Sequence, residues 1–303
     1  MKKIIAFMLC VLLCIGCVAL AENTADTTAD VAATAEPIVI EMPEETPNLD
    51  KIKQDGVIIM LTNAAFPPFE YLADELDENG NPIVIGVDAD IAAEIAADLG
   101  VKLEIVDMDF DSIVMAVQQG KGDFGAAGMT VRPDREEMVN FSIKYIKSAQ
   151  YVLVAADNTD ITTAEDLKGK AIGVQLGTTG DFYATDEIEG ATVVTYNDVV
   201  TASLDLANGR IDAVIADELP AKNIAAGNDR LKVLDLVLTE EEYAIAIAKE
   251  KTDLLAAINM TLLRLQQEGK IEAFINTHMG LEMPEETVEG TEVPAVTDAP
   301  AAN

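Results

Sequence analysis

Four clusters in this chain have the residue types to hold a small charged molecule. Arg135, in Gly128-Met129-Thr130-Val131-Arg132-Pro133-Asp134-Arg135, carries a fork of donors that fits a carboxylate bidentately. On local spacing alone, the commoner fate of such an arginine is a surface ion pair, here with Asp134 or Glu136. Gly128 ends a strand-like run, where a missing side chain frees a backbone carbonyl or amide for close approach. Asp217 follows the strand-like residues 213–216 and can hold an ammonium group. Asp217-Glu218-Leu219-Pro220 also reads as a helix N-terminus, and locally the cap reading is the stronger. Thr178 and Thr179, in Gln175-Leu176-Gly177-Thr178-Thr179-Gly180, stand where a strand meets a helix start. Amides there favour anions and the hydroxyls add donors, although a plain tight turn reads equally well. The last cluster, Thr62-Asn63-Ala64-Ala65-Phe66-Pro67-Pro68-Phe69-Glu70-Tyr71, forms a stiff apolar wall. Phe66 is its surface candidate, and Phe69 and Tyr71 read as core. A guanidinium and helix amides for a carboxylate, a carboxylate for an ammonium and a ring for a carbon skeleton together describe an amino acid zwitterion.

Other chemistries are excluded by composition. His278 is the only histidine, so a histidine-based metal cluster is not available. Cys10, Cys14 and Cys17 all lie in the first 21 residues, which leaves the rest of the chain without a disulfide or a thiol nucleophile. The 178–180 turn lacks the lysine of a phosphate loop and is not a GxGxxG, and no cofactor is expected. The 303 residues carry 54 acidic and 20 basic groups, a net charge of −34. That excludes nucleic acid, whose phosphates need a basic surface. Eight acids fall in residues 22–50 and six in 282–303, with no Lys or Arg in either stretch. The remaining residues 51–281 hold 18 basic and 40 acidic groups, so the body itself is at −22.

The elements that must position these residues alternate along the body. Lys2-Lys3, an apolar run over 4–18 and Ala19-Leu20-Ala21 predict an export signal over 1–21. Cleavage after Ala21 and lipidation at Cys17 are both compatible with that sequence. Residues 22–50 and 282–303, rich in Ala, Thr, Glu and Pro, predict an acidic flexible linker and an acidic tail. Between them, strands are expected over 57–61, 102–106, 171–174, 193–196 and 213–216. A helix is expected from an Asp88 cap through Ile91, Ile95 and Leu99 to Gly100. Others are expected from Asp111 or Ser112 to Gly120, and through Leu255, Ile258, Leu262 and Leu265 to Gly269. Strands separated by capped helices give an α/β class with parallel sheets. One internal echo accompanies them. Gly120-Lys121-Gly122-Asp123 and Gly209-Arg210-Ile211-Asp212 each run into a strand, and Gly128 and Asp217 lie five residues past each aspartate. Two similar halves facing one cleft would produce this pattern.

FPPFEY (66–71), GVDADIAAEIA (86–96), GMTVRPDREEMVNFSIKY (128–145), LKGKAIGVQLGTTG (167–180), NGRIDAVIADELPA (208–221) and YAIAIAKE (243–250), taken in order, resemble the family 3 extracellular solute-binding proteins. These are the polar amino-acid receptors of ABC importers. The resemblance implies a two-lobe periplasmic-binding-protein type II fold, each lobe a mostly parallel sheet flanked by helices, joined by two crossovers. Lobe 1 would be 51–146 plus 239–281, and lobe 2 would be 147–238. By motif position, Arg135 would clasp the α-carboxylate with Thr130 and the Thr178-Thr179 turn. Asp217 and the Gly128 carbonyl would take the α-ammonium, and Phe66 and Phe110 would wall the side chain. Asn63 stands where receptors for cationic amino acids often have an acid, which points towards a neutral polar ligand such as glutamine. The resemblance further implies a monomeric, extracytoplasmic receptor without catalysis, partnered by an ABC permease in the cytoplasmic membrane. The rival readings are a cyclohexadienyl-dehydratase-like enzyme, with Glu70 or Asp109 as its acid, and a ligand-sensing domain.

Overall fold

The computed structural model describes residues 39–280; the expected export signal, the linker before residue 39 and the 282–303 tail lie outside the described residues. The chain runs α1 (Pro47–Asp55), β1 (Val57–Thr62), β2 (Ala65–Phe66), β3 (Glu70–Leu76), β4 (Pro82–Ile85), α2 (Val87–Leu99), β5 (Lys102–Asp107), α3 (Ile113–Gln118), β6 (Phe124–Gly125), α4 (Pro133–Glu136) and β7 (Val139–Phe141). It continues β8 (Ile146–Ala155), β9 (Ala171–Gln175), α5 (Thr179–Asp186), β10 (Thr192–Tyr196), α6 (Val199–Ala207), β11 (Ala213–Asp217), α7 (Glu218–Ala226), β12 (Leu231–Val233), β13 (Thr239–Tyr243), β14 (Ala246–Ala248), α8 (Thr252–Gln267) and α9 (Lys270–His278). Among the described residues, no helix is long and apolar enough to cross a membrane.

Two sheets organise these elements. The first has the order β5-β1-β6-β14-β7, and the second has the order β10-β9-β11-β8-β12 with β13 also on β8. In the first sheet β1 lies between β5 and β6, in the second β9 lies between β10 and β11, and each trio is parallel. Each crossover carries a helix (α2, α3, α5 or α6), and the one from β1 to β5 also carries the small antiparallel sheet β2-β3-β4. β14 and β7 in the first sheet, and β8 and β12 in the second, pair antiparallel, so each sheet is parallel over three strands only. The two sheets are joined by a two-stranded ribbon. β8 leaves from the first body at Ile146, and β13 returns beside it, with Tyr243 opposite Ile146 and Thr239 opposite Gln150. These are the two expected crossovers. The hydrogen bonds of β13 tie residues 239–243 to the second sheet, so a ribbon rather than a single residue separates the bodies.

Apolar periodicity decides what each helix buries. α8 directs Leu254, Ile258, Leu262 and Leu265, all buried, into the core that also holds Ile91 and Ile95 of α2. Each such side chain contributes roughly 1.5–3 kcal/mol. Arg264 ties the exposed flank, donating to Glu94 at 2.8 Å and Asp98 at 2.9 Å.

Two local expectations are corrected. Residues 47–50, expected to close a flexible linker, open α1. Pro47 occupies the first turn, where its missing N–H costs nothing, and Leu49 is buried. Asp253 accepts the backbone amides of Asn48 at 2.8 Å and Leu49 at 3.1 Å, satisfying donors that a helix start otherwise leaves free. The second correction concerns Asp88, which is not the cap of α2. Gly86 takes that place, and Asp88 is fully buried inside the first turn.

Candidate functional site

The two bodies meet around a cavity of about 300 Å³ of empty space. All nine residues expected to contact a ligand lie on its wall. Asn63, Phe66, Phe110, Gly128, Thr130 and Arg135 come from the first body, and Thr178, Thr179 and Asp217 from the second. Strand ends explain the convergence. Asn63 follows β1, Thr178 follows β9 and Asp217 ends β11, and open α/β sheets present their binding crevice at the carboxyl ends of strands.

Arg135 is 5 % exposed. Its Nη1 donates to the Thr130 carbonyl at 2.7 Å and its Nη2 to the Gly177 carbonyl at 3.1 Å. Its guanidinium lies 5.2 Å from the centre of the Phe110 ring. The local alternative of an ion pair with Asp134 is taken by Arg132 instead, which donates to both Asp134 oxygens at 3.0 and 2.8 Å. Burial, and then the nearby Arg132 charge, lower the Arg135 pKa to about 10, so it stays charged at neutral pH.

Asp217 stands at the N-cap position of α7 but its side chain makes no cap bond. It is 6 % exposed. Its Oδ2 accepts from Gln150 Nε2 at 2.9 Å, and its Oδ1 accepts from Ser148 Oγ at 3.4 Å and from the Tyr243 hydroxyl. Desolvation first, and the Glu241 charge second, push its pKa up to about 7 against the pull of those three donors.

Gly128 adopts a positive φ of 52°. A Cβ there would meet Phe66 Cε1 at 2.6 Å, so both the backbone conformation and the aromatic neighbour call for glycine. Its amide donates to Asp88 Oδ2 at 2.8 Å, and the Tyr145 hydroxyl donates to Asp88 Oδ1 at 2.8 Å. Burial raises the Asp88 pKa to about 6. The carboxylate that sequence reading assigned to a helix cap therefore fixes the backbone of the site.

The two threonines divide their tasks. Thr178 caps α5, accepting from the Asp181 amide at 3.2 Å and donating to the Gln175 carbonyl at 2.8 Å. The Thr179 hydroxyl is buried without a hydrogen-bond partner.

Sequence reasoning missed two polar residues on the wall as ligand contacts, Gln175 and Glu70. Gln175 Nε2 donates to Asn63 Oδ1 at 2.8 Å and to the Asn197 carbonyl at 3.0 Å; its position before the Gly177 turn was the available signal. Glu70 is fully buried, and neither oxygen has a hydrogen-bond partner. Desolvation, reinforced by the Asp88 and Asp217 charges, holds its pKa well above the usual carboxylate range. Its neighbours Phe69, fully buried, and Tyr71, half-buried, were read as core, and that surrounding was the cue for Glu70.

Comparison with known proteins bears on the fold and the family. The chain is 30% identical over 237 residues to the L-cystine-binding protein TcyJ of Escherichia coli (strain K12), covering 78% of this chain and 87% of that protein. The arginine-bound form of truncated ArgBP from T. maritima superposes with a TM-score of 0.66 at 41% identity, covering 71% of this chain and 99% of the other. The ancestral amino-acid-binding protein AncCDT-1, a precursor of cyclohexadienyl dehydratase, superposes with a TM-score of 0.68 at 32% identity, covering 77% and 99%. The sequence model of the bacterial extracellular solute-binding proteins, family 3, matches residues 58–281, and the chain belongs to that family.

Proposed function

We propose that this chain captures an L-amino acid zwitterion in the cavity between its two bodies, outside the cytoplasmic membrane, and presents it to an ABC permease as a monomeric receptor. One observation carries the reading: a buried guanidinium from the first body and a buried carboxylate from the second line the same cavity. Arg135 clasps the α-carboxylate with the Thr179 hydroxyl and the amides that open α5. Asp217 takes the α-ammonium with the Gly128 carbonyl. The Thr130 hydroxyl donates to Glu241, which leaves its lone pairs for the ligand and suits it to the ammonium end. Phe66 and Phe110 cover the side-chain stem, and the Asn63–Gln175 amide pair meets a polar terminus. Closure expels water and strengthens both charge contacts.

Relatives named for cystine and arginine support a polar side chain, and glutamine remains the neutral candidate from Asn63. A calorimetric and thermal-shift panel of the L-amino acids, with D-enantiomers as controls, tests the reading, since a tight ligand stabilises by mass action. Failure of every L-amino acid to bind overturns it. Export by residues 1–21 goes with this function, ending either in cleavage after Ala21 or in lipid on Cys17, which radiolabelled fatty acid incorporation separates. One observation favours a second reading. Glu70 is a buried cavity carboxyl whose pKa is raised by desolvation and by the Asp88 and Asp217 charges, the kind of group that can protonate a leaving hydroxyl. Turnover of prephenate would establish such a dehydratase.

A further inference from the structure

The first body reaches the second through a second arginine that lies outside the cavity wall. Arg132 stands between β6 and α4, and Asp134 holds its guanidinium from one side through two bonds of 3.0 and 2.8 Å. From that position Nη1 donates to the Gly177 carbonyl at 3.3 Å, and the guanidinium lies 4.1 Å from the centre of the Phe182 ring. Gly177 and Phe182 both belong to the second body, in the turn after β9 and in α5. The Gly177 carbonyl is thus shared by Arg132 and by Arg135. Gly177 also has a positive φ of 76°, and a Cβ there would come within 3.1 Å of Asp111 Cβ in the first body. A side chain at this residue would crowd the first body.

An arginine paired only with its own neighbour would extend into water. Arg132 keeps just 15 % of its side chain exposed because it folds across the junction. Phe182 is 48 % exposed and offers the ring face on which a guanidinium stacks favourably. We propose that Arg132, Gly177 and Phe182 form a latch that holds the two bodies closed over the ligand, with Arg132 as its positioning residue. The latch rests on the receptor reading above, but it touches neither end of the zwitterion. It therefore sets how long the closed form lasts rather than which amino acid is chosen.

The test uses the full chain with L-arginine and L-cystine as probes. Dissociation rates are followed by stopped-flow fluorescence, and closure by the ligand-induced fall in scattering radius. Arg132→Ala raises the dissociation rate about three- to tenfold for whichever probe binds, a range set by one exposed cation–π contact and one charged hydrogen bond. The association rate changes less than about twofold, as interface changes act mostly on dissociation, and the ratio of affinities for the two probes is preserved. Phe182→Ala acts in the same direction but less, because it leaves the Arg132 bond to the Gly177 carbonyl in place. The double variant is no worse than Arg132→Ala alone, because Phe182 acts only through Arg132. Arg132→Lys restores part of the loss, keeping the charge over the ring but not the fork. Unchanged dissociation in Arg132→Ala, or additive effects in the double variant, overturns the latch while leaving the receptor reading intact. A wild-type chain that binds neither probe nor any other L-amino acid overturns both.

Discussion

Gln175 donates its side-chain amide to Asn63 Oδ1 at 2.8 Å; Asn63 follows β1, Gln175 ends β9, and each of those strands is the centre of its sheet's parallel trio. Asn63 in turn donates to the Met108 carbonyl at 2.9 Å, so both ends of its amide are held. A neutral amide suits this place because one side must accept and the other must donate. Asn63→Asp keeps the acceptor for Gln175 but turns an oxygen towards the Met108 carbonyl, a repulsion that a cation would relieve. The variant should therefore lose affinity for glutamine and raise the arginine-to-glutamine affinity ratio by about tenfold, on the order of one charge-assisted hydrogen bond. Calorimetry with the two amino acids measures this, and an unchanged ratio would remove the Asn63–Gln175 pair from the side-chain contact.

Arg135→Ala removes the only arginine on the cavity wall. Truncating one partner of a buried charge pair costs about 2–5 kcal/mol, so the dissociation constant should rise from tens-fold to more than a thousandfold. Arg135→Lys keeps the charge but cannot reproduce the bonds to Thr130 and Gly177 together with a carboxylate clasp, and should fall between. Far-ultraviolet circular dichroism should be unchanged in both variants. Retention of wild-type affinity in Arg135→Ala would contradict the assignment.

The repeated aspartates of the two halves have a shared structural task. Asp123 Oδ2 accepts the Ile59 amide at 2.9 Å while its own amide donates to the Ile59 carbonyl at 2.8 Å. Asp212 makes the same exchange with Ala171, both bonds at 2.8 Å. Each thereby registers the third parallel strand against the first. Alanine at Asp123 should destabilise the chain by about 1–3 kcal/mol, the cost of leaving a part-buried backbone donor without its charged acceptor, and alanine at Asp212, whose bond is exposed to water, by about 0.5–1.5 kcal/mol. Asp123→Ala should be the worse of the two, because Lys251 also pairs with Asp123 at 2.9 Å. Urea unfolding measures both, and equal stability of wild type and variants would mean the exchange is dispensable.

That pair shows what was legible in sequence and what was not. The Gly-basic-x-Asp echo announced two halves, and the residues after each strand converged on one cavity because parallel sheets put strand ends together. Asn63, Arg135 and Asp217 could be placed by motif position. The destination of a side chain was harder to read. Asp88 and Asp217 both look like helix caps locally, since a cap and a buried acceptor use the same residue type. What decides between them is Tyr145 or Tyr243, each more than 20 residues away along the chain. Glu70 sat between two residues read as core, and its burial depends on packing that no local pattern encodes. Residues 47–50 share the composition of the acidic linker and are ordered by Asp253, some 200 residues later.

Asp217 should make ligand binding depend on pH. In the ligand-free cleft burial raises its pKa to about 7, above the ordinary carboxylate value, so the folded chain holds this proton more tightly than the unfolded one. Its contribution to stability is then present below about pH 4, falls as the pH rises towards 7, and is flat above. An α-ammonium favours the ionised form, so binding below pH 7 must displace the proton. Affinity should rise about tenfold per unit from pH 5 to 6.5 and level off above 7, and binding at pH 6 should release close to one proton. Asp88, raised to about 6, keeps Gly128 and Tyr145 as partners in either state and should affect stability rather than affinity, while Arg135 stays charged throughout. Asp217→Asn should bind weakly and lose the slope. Calorimetry in two buffers of different ionisation enthalpy measures the proton count. A pH-independent affinity in the wild type would show that Asp217 does not meet the ammonium.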